Sequence, residues 1–212
     1  VRFQEKVQYE PSLFAYTDKK TGWTDIHGDP VERIVFENMA EAKKLQTTET
    51  ICGMGNFVHP YINERWPFAI RKGPEDVKIG VFDIEVGSDD GFPNQWVAAK
   101  PVTAITLYVN NKYLVFTCGD REYKPHRPDI VHIHSKDEKR LLEKFVQVWE
   151  HVDMDIISGW SCENFDIPYM VNRIKRVLGD EWAKRLSPWG QIRETEKFDK
   201  FGKQVTMYHR SE

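Results

Sequence analysis

Residues 78–86 read KIGVFDIEV, and the register of this stretch decides the fold around it. Side chains alternate along a strand, so Ile79, Val81, Asp83 and Glu85 share one face while Phe82, Ile84 and Val86 take the other. Two carboxylates therefore stand side by side on a strand that is otherwise apolar. In a central strand this is costly, because like charges in a poorly solvated place disfavour each other's ionisation. A divalent cation removes the conflict. Hard oxygen ligands clustered this way suit Mg²⁺ or Mn²⁺, and two such ions about 4 Å apart activate a water and stabilise the leaving oxygen of a phosphodiester. The competing reading puts the strand at a sheet edge with both acids solvated, and a D-x-E pattern alone does not choose between them.

Downstream, Val102–Asn110 and Lys112–Thr117 read as two further strands around an Asn110-Asn111 turn, an antiparallel meander. Ser135 and Glu138 have capping-box spacing for a helix whose apolar face is Leu141, Leu142, Phe145, Val148, Trp149 and Val152. Asp155–Trp160 is an apolar run of strand length. From about Ile167 to Leu178, Ile167, Met170, Val171, Ile174 and Val177 form one helical stripe. The order β-β-β-α-β-α implies a crossover to a parallel strand, hence a mixed sheet in an α/β (α+β) fold. Asp166 falls at the second strand-to-helix junction, where a carboxylate can point back over the sheet end. Its alternative is a helix N-cap, favoured by Pro168 in the first turn. Gln191–Tyr208 reads as a long polar hairpin with its turn at Phe198–Lys203.

Upstream the pattern is looser. Val7–Tyr16 is strand-like, a polar turn covers Thr17–Gly22, Trp23–Ile26 is extended, and a second turn at His27–Pro30 leads into Val31–Phe36. Asn38 and Glu41 have capping-box spacing for a short helix, Met39 to about Leu45. Between Thr47 and Pro74, Gly53, Gly55, Pro60, Pro67 and Gly73 interrupt every period. A domain boundary is read near Lys72–Asp76.

With 212 residues, 40% hydrophobic and 13% aromatic, the chain has material for one large core or two smaller ones. No stretch approaches the roughly 18 uninterrupted apolar residues of a membrane span, and no export leader is visible. A soluble, intracellular protein is expected. Cys52, Cys118 and Cys162 are widely spaced, without a C-x-x-C pair, which argues against a disulfide framework or a zinc site. The net charge of −3 lacks the positive field of a self-sufficient nucleic-acid binder, so a polyanion would be held with help from elsewhere.

FDIEV at 82–86 followed by GWSCENFDIPYMVNR at 159–173 resembles the first and second exonuclease motifs of family B DNA polymerases. YEPSLFAY at 9–16, DIHGDPVERIVFENM at 25–39, SDDGFPNQWVAAKPVTAIT at 88–106 and AKRLSP at 183–188 resemble the polymerases of T-even-type bacteriophages. The resemblance thus covers essentially the whole chain. It implies a polymerase amino-terminal domain over 1–76 and a 3′→5′ exonuclease domain of ribonuclease H-like fold over 77–212. Asp83, Glu85 and Asp166 would then be the metal-binding carboxylates of a proofreading site served by Mg²⁺ or Mn²⁺. Phe92 would pack against bases near the primer 3′ end, a role tolerant of base identity; the alternative is a buried loop anchor. Asn164 would hydrogen-bond substrate or orient Asp166. The hairpin would help part primer from template, or be merely structural. The implied partners are a DNA primer 3′ end or single-stranded DNA and the remaining polymerase half, with no membrane, in the cytoplasm of an infected bacterial host.

The family pattern also calls for a downstream Tyr-x-x-x-Asp, which these 212 residues do not contain. His132 and Asp137 have a similar spacing but precede the second motif, and are discounted. Residue 1 is Val rather than Met. The expectation is a fragment, or one part of a divided polymerase, with little exonuclease activity alone. The alternative is a non-catalytic nucleic-acid-binding or assembly subunit.

Overall fold

The computed structural model describes residues 7–46, 51–68, 73–89, 91–198 and 204–210. The chain divides into two compact units, Val1–Lys72 and Gly73–Glu212.

The first unit runs β1 (Ser12–Tyr16), β2 (Trp23–Thr24), β3 (Pro30–Val35), α1 (Met39–Leu45), β4 (Ile51–Cys52) and α2 (Val58–Arg65). Its antiparallel sheet has the order β2-β3-β1-β4 and packs Leu13 against Phe36, Ala42 and Phe57. The strand expected from Val7 starts only at Ser12. Pro11 has no N–H to give a ladder, and its carbonyl instead accepts the Phe36 N–H at 2.9 Å. Asn38 caps α1 as its spacing suggests, its Oδ1 accepting from the Ala40 and Glu41 N–H groups at 3.1 and 3.0 Å. Helix α2 gave no sequence signal because it buries none of its residues and carries Pro60 in its first turn.

The second unit continues with β5 (Ile79–Val86), β6 (Val102–Val109), β7 (Lys112–Cys118), β8 (Ile130–Ser135), α3 (Glu138–Val152), β9 (Ile156–Ser158), α4 (Ile167–Leu178), α5 (Asp180–Lys184), β10 (Ile192–Phe198) and β11 (Gln204–Arg210). Five strands form one sheet, β8-β7-β6-β5-β9. β5, β6 and β7 are antiparallel neighbours, while β8 lies parallel to β7 and β9 parallel to β5. This is the expected mixed sheet, with one more strand than the sequence reading supplied. Asn110 and Asn111 make the tight β6–β7 turn at φ 50° and 59°, left-handed values that asparagine tolerates. β10 and β11 pair as a separate hairpin from Ile192↔Arg210 to Phe198↔Gln204; residues 199–203, where most of its turn was read, lie outside the described residues.

Strand β8 corrects two readings. Its sequence IVHIHS carries two histidines on one face, which disguised the alternation. Its last residue is Ser135, so Ser135 does not cap α3. Asp137 does, its carboxylate accepting the Arg140 N–H at 2.8 Å. The other half of the supposed capping box, Glu138, is used elsewhere: its Oε1 accepts the Val102 N–H at 2.7 Å.

Helices α3 and α4 cover one face of the sheet, where Phe82, Ile84, Ile105, Leu107 and Phe116 meet Leu141, Leu142, Phe145, Trp149, Met170 and Ile174. The Phe82 ring stacks on Phe145 and meets Trp149 edge-on, both at 5.6 Å between centroids. Each such aromatic pair is worth about 0.5–1.5 kcal/mol beyond its area burial. On the opposite face Ile79, Val81 and Ile156 remain exposed at 52%, 45% and 49%.

Candidate active site

β5 pairs with β6 along Val81–Val86 but with β9 only over Ile79–Val81, so at Asp83 and Glu85 it has no second strand neighbour among the described residues, and both acids are exposed on the uncovered face. The strand is central over Ile79–Val81 and an edge at its acids, which are solvated there as the edge reading has it, with helices among the described residues over one face only. A register shift between Glu85 and Val86 follows immediately, the kind of irregularity that re-aims side chains beside active sites.

The second motif reaches β5 by a route that starts where β9 stops. β9 pairs Ile156–Ser158 with Ile79–Val81 and then leaves the sheet, shorter than the expected Asp155–Trp160. At Gly159 the backbone passes so close to β5 that a Cβ would sit 2.3 Å from the Phe82 carbonyl oxygen. Only glycine fits there. A π-helical turn over Cys162–Asp166 follows, closed by the Ile167 N–H bonding back to the Cys162 carbonyl. Such wide turns recur at functional sites.

This turn removes the N-cap alternative for Asp166. Its backbone is already helical, at φ −63° and ψ −49°, and its side chain makes no cap hydrogen bond. The carboxylate lies instead beside the N–H of Ile84 on β5, which favours its charged form. Asp166 is only 3% exposed. Burial, and after it the negative charge of Asp83, push its carboxyl above the usual carboxylate range. The Cys162 thiol, beside the same charges, is pushed up to about 11, chiefly by burial and then by Asp166, Glu163 and Asp83. The tertiary structure therefore brings Asp83 and Asp166 together. Glu85 shares the strand face with Asp83 but is not among the groups acting on Asp166.

Residues 45–211 match the family model described as DNA polymerase family B, exonuclease domain. The chain belongs to this family. The chain is 32% identical to the DNA-directed DNA polymerase of Escherichia phage RB69 over 89% of its own length and 24% of that protein. It is 26% identical to that of Enterobacteria phage T4, again over 89% of this chain and 24% of the relative. A DNA polymerase of Archaeoglobus fulgidus is 25% identical over 58% of this chain and 13% of its own length. The chain thus spans about a quarter of the length of the phage relatives it matches.

Exonuclease domains of this family depend on metal ions in general. Among the described residues no three His, Cys, Asp or Glu side chains are gathered closely enough to hold an ion between them. The donor chemistry nevertheless fits a hard cation. Asp83 and Asp166 carry oxygen donors, the charge of Asp83 acts against ionisation of Asp166, Asp166 is buried, and no Lys or Arg among the described residues pairs with it.

The remaining site residues are placed as follows. Phe92 is 86% exposed, which overturns the buried-anchor alternative. Its ring lies 5.2 Å from that of Phe165, the residue before Asp166. Asn164 is exposed, and its backbone carbonyl accepts from Gln95 Nε2 at 3.3 Å. It is not one of the groups acting on Asp166. His132 and Asp137, discounted because they precede the second motif, have other partners: His132 Nε2 lies 2.7 Å from Thr117 Oγ1, and Asp137 caps α3. Sequence reasoning missed Phe165 and the spatial role of Gly159. It also counted Trp160 as strand, whereas the indole is 99% exposed on the rim of a cleft of about 520 Å³. That cleft is lined by Asn164, Cys162 and Ile167 among others, and by none of the three carboxylates. Among the described residues no helix is long and apolar enough to cross a membrane.

Proposed function

We propose that the exonuclease domain removes nucleotides from the 3′ end of a DNA strand, with Asp83, Glu85 and Asp166 as the carboxylates that hold Mg²⁺ or Mn²⁺. The observation that carries this reading is the convergence of Asp83 with the buried Asp166, which no Lys or Arg among the described residues pairs with. When bound, such ions supply Lewis acidity and an activated water for phosphodiester hydrolysis.

The protein's own groups prepare that chemistry. The Ile84 N–H lies beside the Asp166 carboxylate and favours its charged form. The sheet holds Asp83 and Glu85 at a two-residue interval on one face, so their separation does not depend on loop motion. Phe92, exposed and leaning on Phe165, offers a face on which the terminal bases stack. Cys162 stays a neutral thiol at physiological pH and adds no competing charge. Asn164, exposed on the π-helical turn, would hydrogen-bond the DNA strand that Phe92 meets.

In this reading residues 1–76 form the amino-terminal domain of a replicative polymerase and 77–212 the larger part of its proofreading domain. The partners are a primer 3′ end or single-stranded DNA and the rest of the polymerase, in a phage-infected bacterium. Three carboxylates make a weak two-metal site, so the 212-residue chain assayed alone is expected to be nearly inactive. The exposed Ile79, Val81 and Ile156 side chains favour a second reading, in which the chain serves as an assembly subunit that docks onto the remaining polymerase.

The purified chain is incubated with 5′-labelled single-stranded DNA and Mn²⁺, with and without the rest of the polymerase. Shortening that is slow alone, faster on mixing, and lost in Asp83→Ala and Asp166→Ala supports the enzymatic reading. No shortening under either condition, despite association of the two parts, leaves the assembly reading. Rapid shortening by the chain alone, abolished by Asp83→Ala, would overturn the expected inactivity.

A further inference from the structure

Between β5 and β6 the chain runs from Gly87 to Pro101 without helix or strand in its described residues, and this connection carries Phe92. Four side chains of α4, spaced three, one and three residues apart, lie along one stripe of the helix and donate to backbone carbonyls of this connection. The Tyr169 hydroxyl donates to Lys100 O at 2.7 Å and Asn172 Nδ2 to Gln95 O at 3.0 Å. Arg173 Nη1 donates to Ala98 O and Ala99 O at 3.0 and 2.9 Å, and Arg176 Nη1 to Val97 O at 3.4 Å. Gln95 in turn reaches Asn164 O in the π-helical turn, tying the same segment to the second acidic motif.

Arg173 is the centre of this grip. It is 8% exposed, and Glu138 holds its far side bidentately, Nε to Oε1 at 2.7 Å and Nη2 to Oε2 at 2.6 Å. Glu138 is itself anchored by the Val102 N–H at the start of β6. The guanidinium therefore presents its remaining donors in one fixed direction, as a lysine ammonium would not. What it grips is strained: Ala98 is fully buried at φ 45°, a left-handed conformation that costs a non-glycine residue about 1–2 kcal/mol. The segment keeps that shape while its carbonyls are held.

We propose that Arg173 is a positioning residue for the exonuclease site: by clamping the 95–101 segment onto α4 it sets where Phe92 stands relative to Phe165 and Asp166. This inference rests on the reading of Phe92 as the face that meets the terminal bases.

The test is a double-mutant cycle on the whole 212-residue chain. The probe is a short single-stranded oligonucleotide with 2-aminopurine at its 3′ end, held in EDTA so that nothing is hydrolysed. Affinity and fluorescence are read for the wild type, Arg173→Lys, Phe92→Ala and the double variant, with thermal melts of each. Arg173→Lys is expected to weaken binding roughly fivefold, the scale of one lost base–aromatic stack, and to add less than about twofold once Phe92 is alanine. Asn172→Ala, which removes only the grip on Gln95, should show the same dependence on Phe92 with a smaller loss, and serves if Arg173→Lys fails to fold. An equal loss in both backgrounds, or no loss at all, overturns the clamp's role while leaving the site intact. Absence of binding by the wild type, or indifference to Phe92→Ala, overturns the reading of Phe92 and this role with it.

Discussion

The two faces of β5 are built from adjacent residues and do opposite things. Phe82 and Ile84, at 1% and 7% exposure, lock into α3 and α4, while Ile79 and Val81, at 52% and 45%, face outward beside Asp83 and Glu85. One face is packed so that it cannot move. The other is left open, so that two carboxylates stand on a rigid strand and still reach solvent. The difference shows how a sheet serves a site: the packed face supplies the precision, and the open face supplies the chemistry.

The sharpest way to break this comparison is Phe82→Ala, which removes the ring that contacts both Phe145 and Trp149. A loss of about 3–5 kcal/mol is expected in urea unfolding followed by far-UV circular dichroism; a loss below 1 kcal/mol would mean that the face is not packed as described. Gly159→Ala comes next, since its methyl would collide with the Phe82 carbonyl. About 1–3 kcal/mol is expected, together with a shift of the Asp166 amide resonance as the π-helical turn is pushed off β5.

Asp166→Asn probes the buried acid against the exposed pair. The folded-state carboxyl is raised above its unfolded value by burial and by Asp83. Its favourable contribution is therefore fully present below the unfolded value and is lost as pH rises through the folded one. In EDTA, the melting temperature of the wild type relative to that of Asp166→Asn should fall as pH is raised from about 4 towards neutrality. At neutral pH the variant should melt higher than the wild type, and added Mn²⁺ should narrow that gap by stabilising the wild type alone. An unchanged difference would show that Asp166 does not titrate in this range. The smallest effect is expected for Val81→Thr on the open face, within about 0.5 kcal/mol. A larger loss, with dimerisation detected by sedimentation, would show that the open face is covered.

Most of the second unit was legible because its elements carry their own period. The alternation in 78–86, the stripe from Leu141 to Trp149 and the Ile167–Leu178 stripe each bury the face that the pattern marks. Elements without such a pattern stayed hidden. α2 buries none of its residues, and β8 carries His132 and His134 where a strand signal would have been apolar. The misplaced cap at Ser135 had the same origin: a serine three residues before a glutamate satisfies the spacing rule, but the helix starts only where the chain leaves β8. Within the site, the residue types at 83, 85 and 166 were readable as acids, and Phe92 as an aromatic, while their solvation was not.

By itself the sequence determined the strand register that puts Asp83 and Glu85 on one face, the helix that follows Asp166, and the family to which the chain belongs, because alternation, helical stripes and motif identity are local properties. Only the tertiary structure decided that Asp166 is buried, that it lies beside the Ile84 N–H rather than capping α4, and that Asp83 and Glu85 are solvated. Those outcomes depend on where β9 ends, on the close passage at Gly159 and on which face the helices cover. They set the charge and burial of each acid through neighbours some eighty residues away in the chain, a separation that no local pattern encodes.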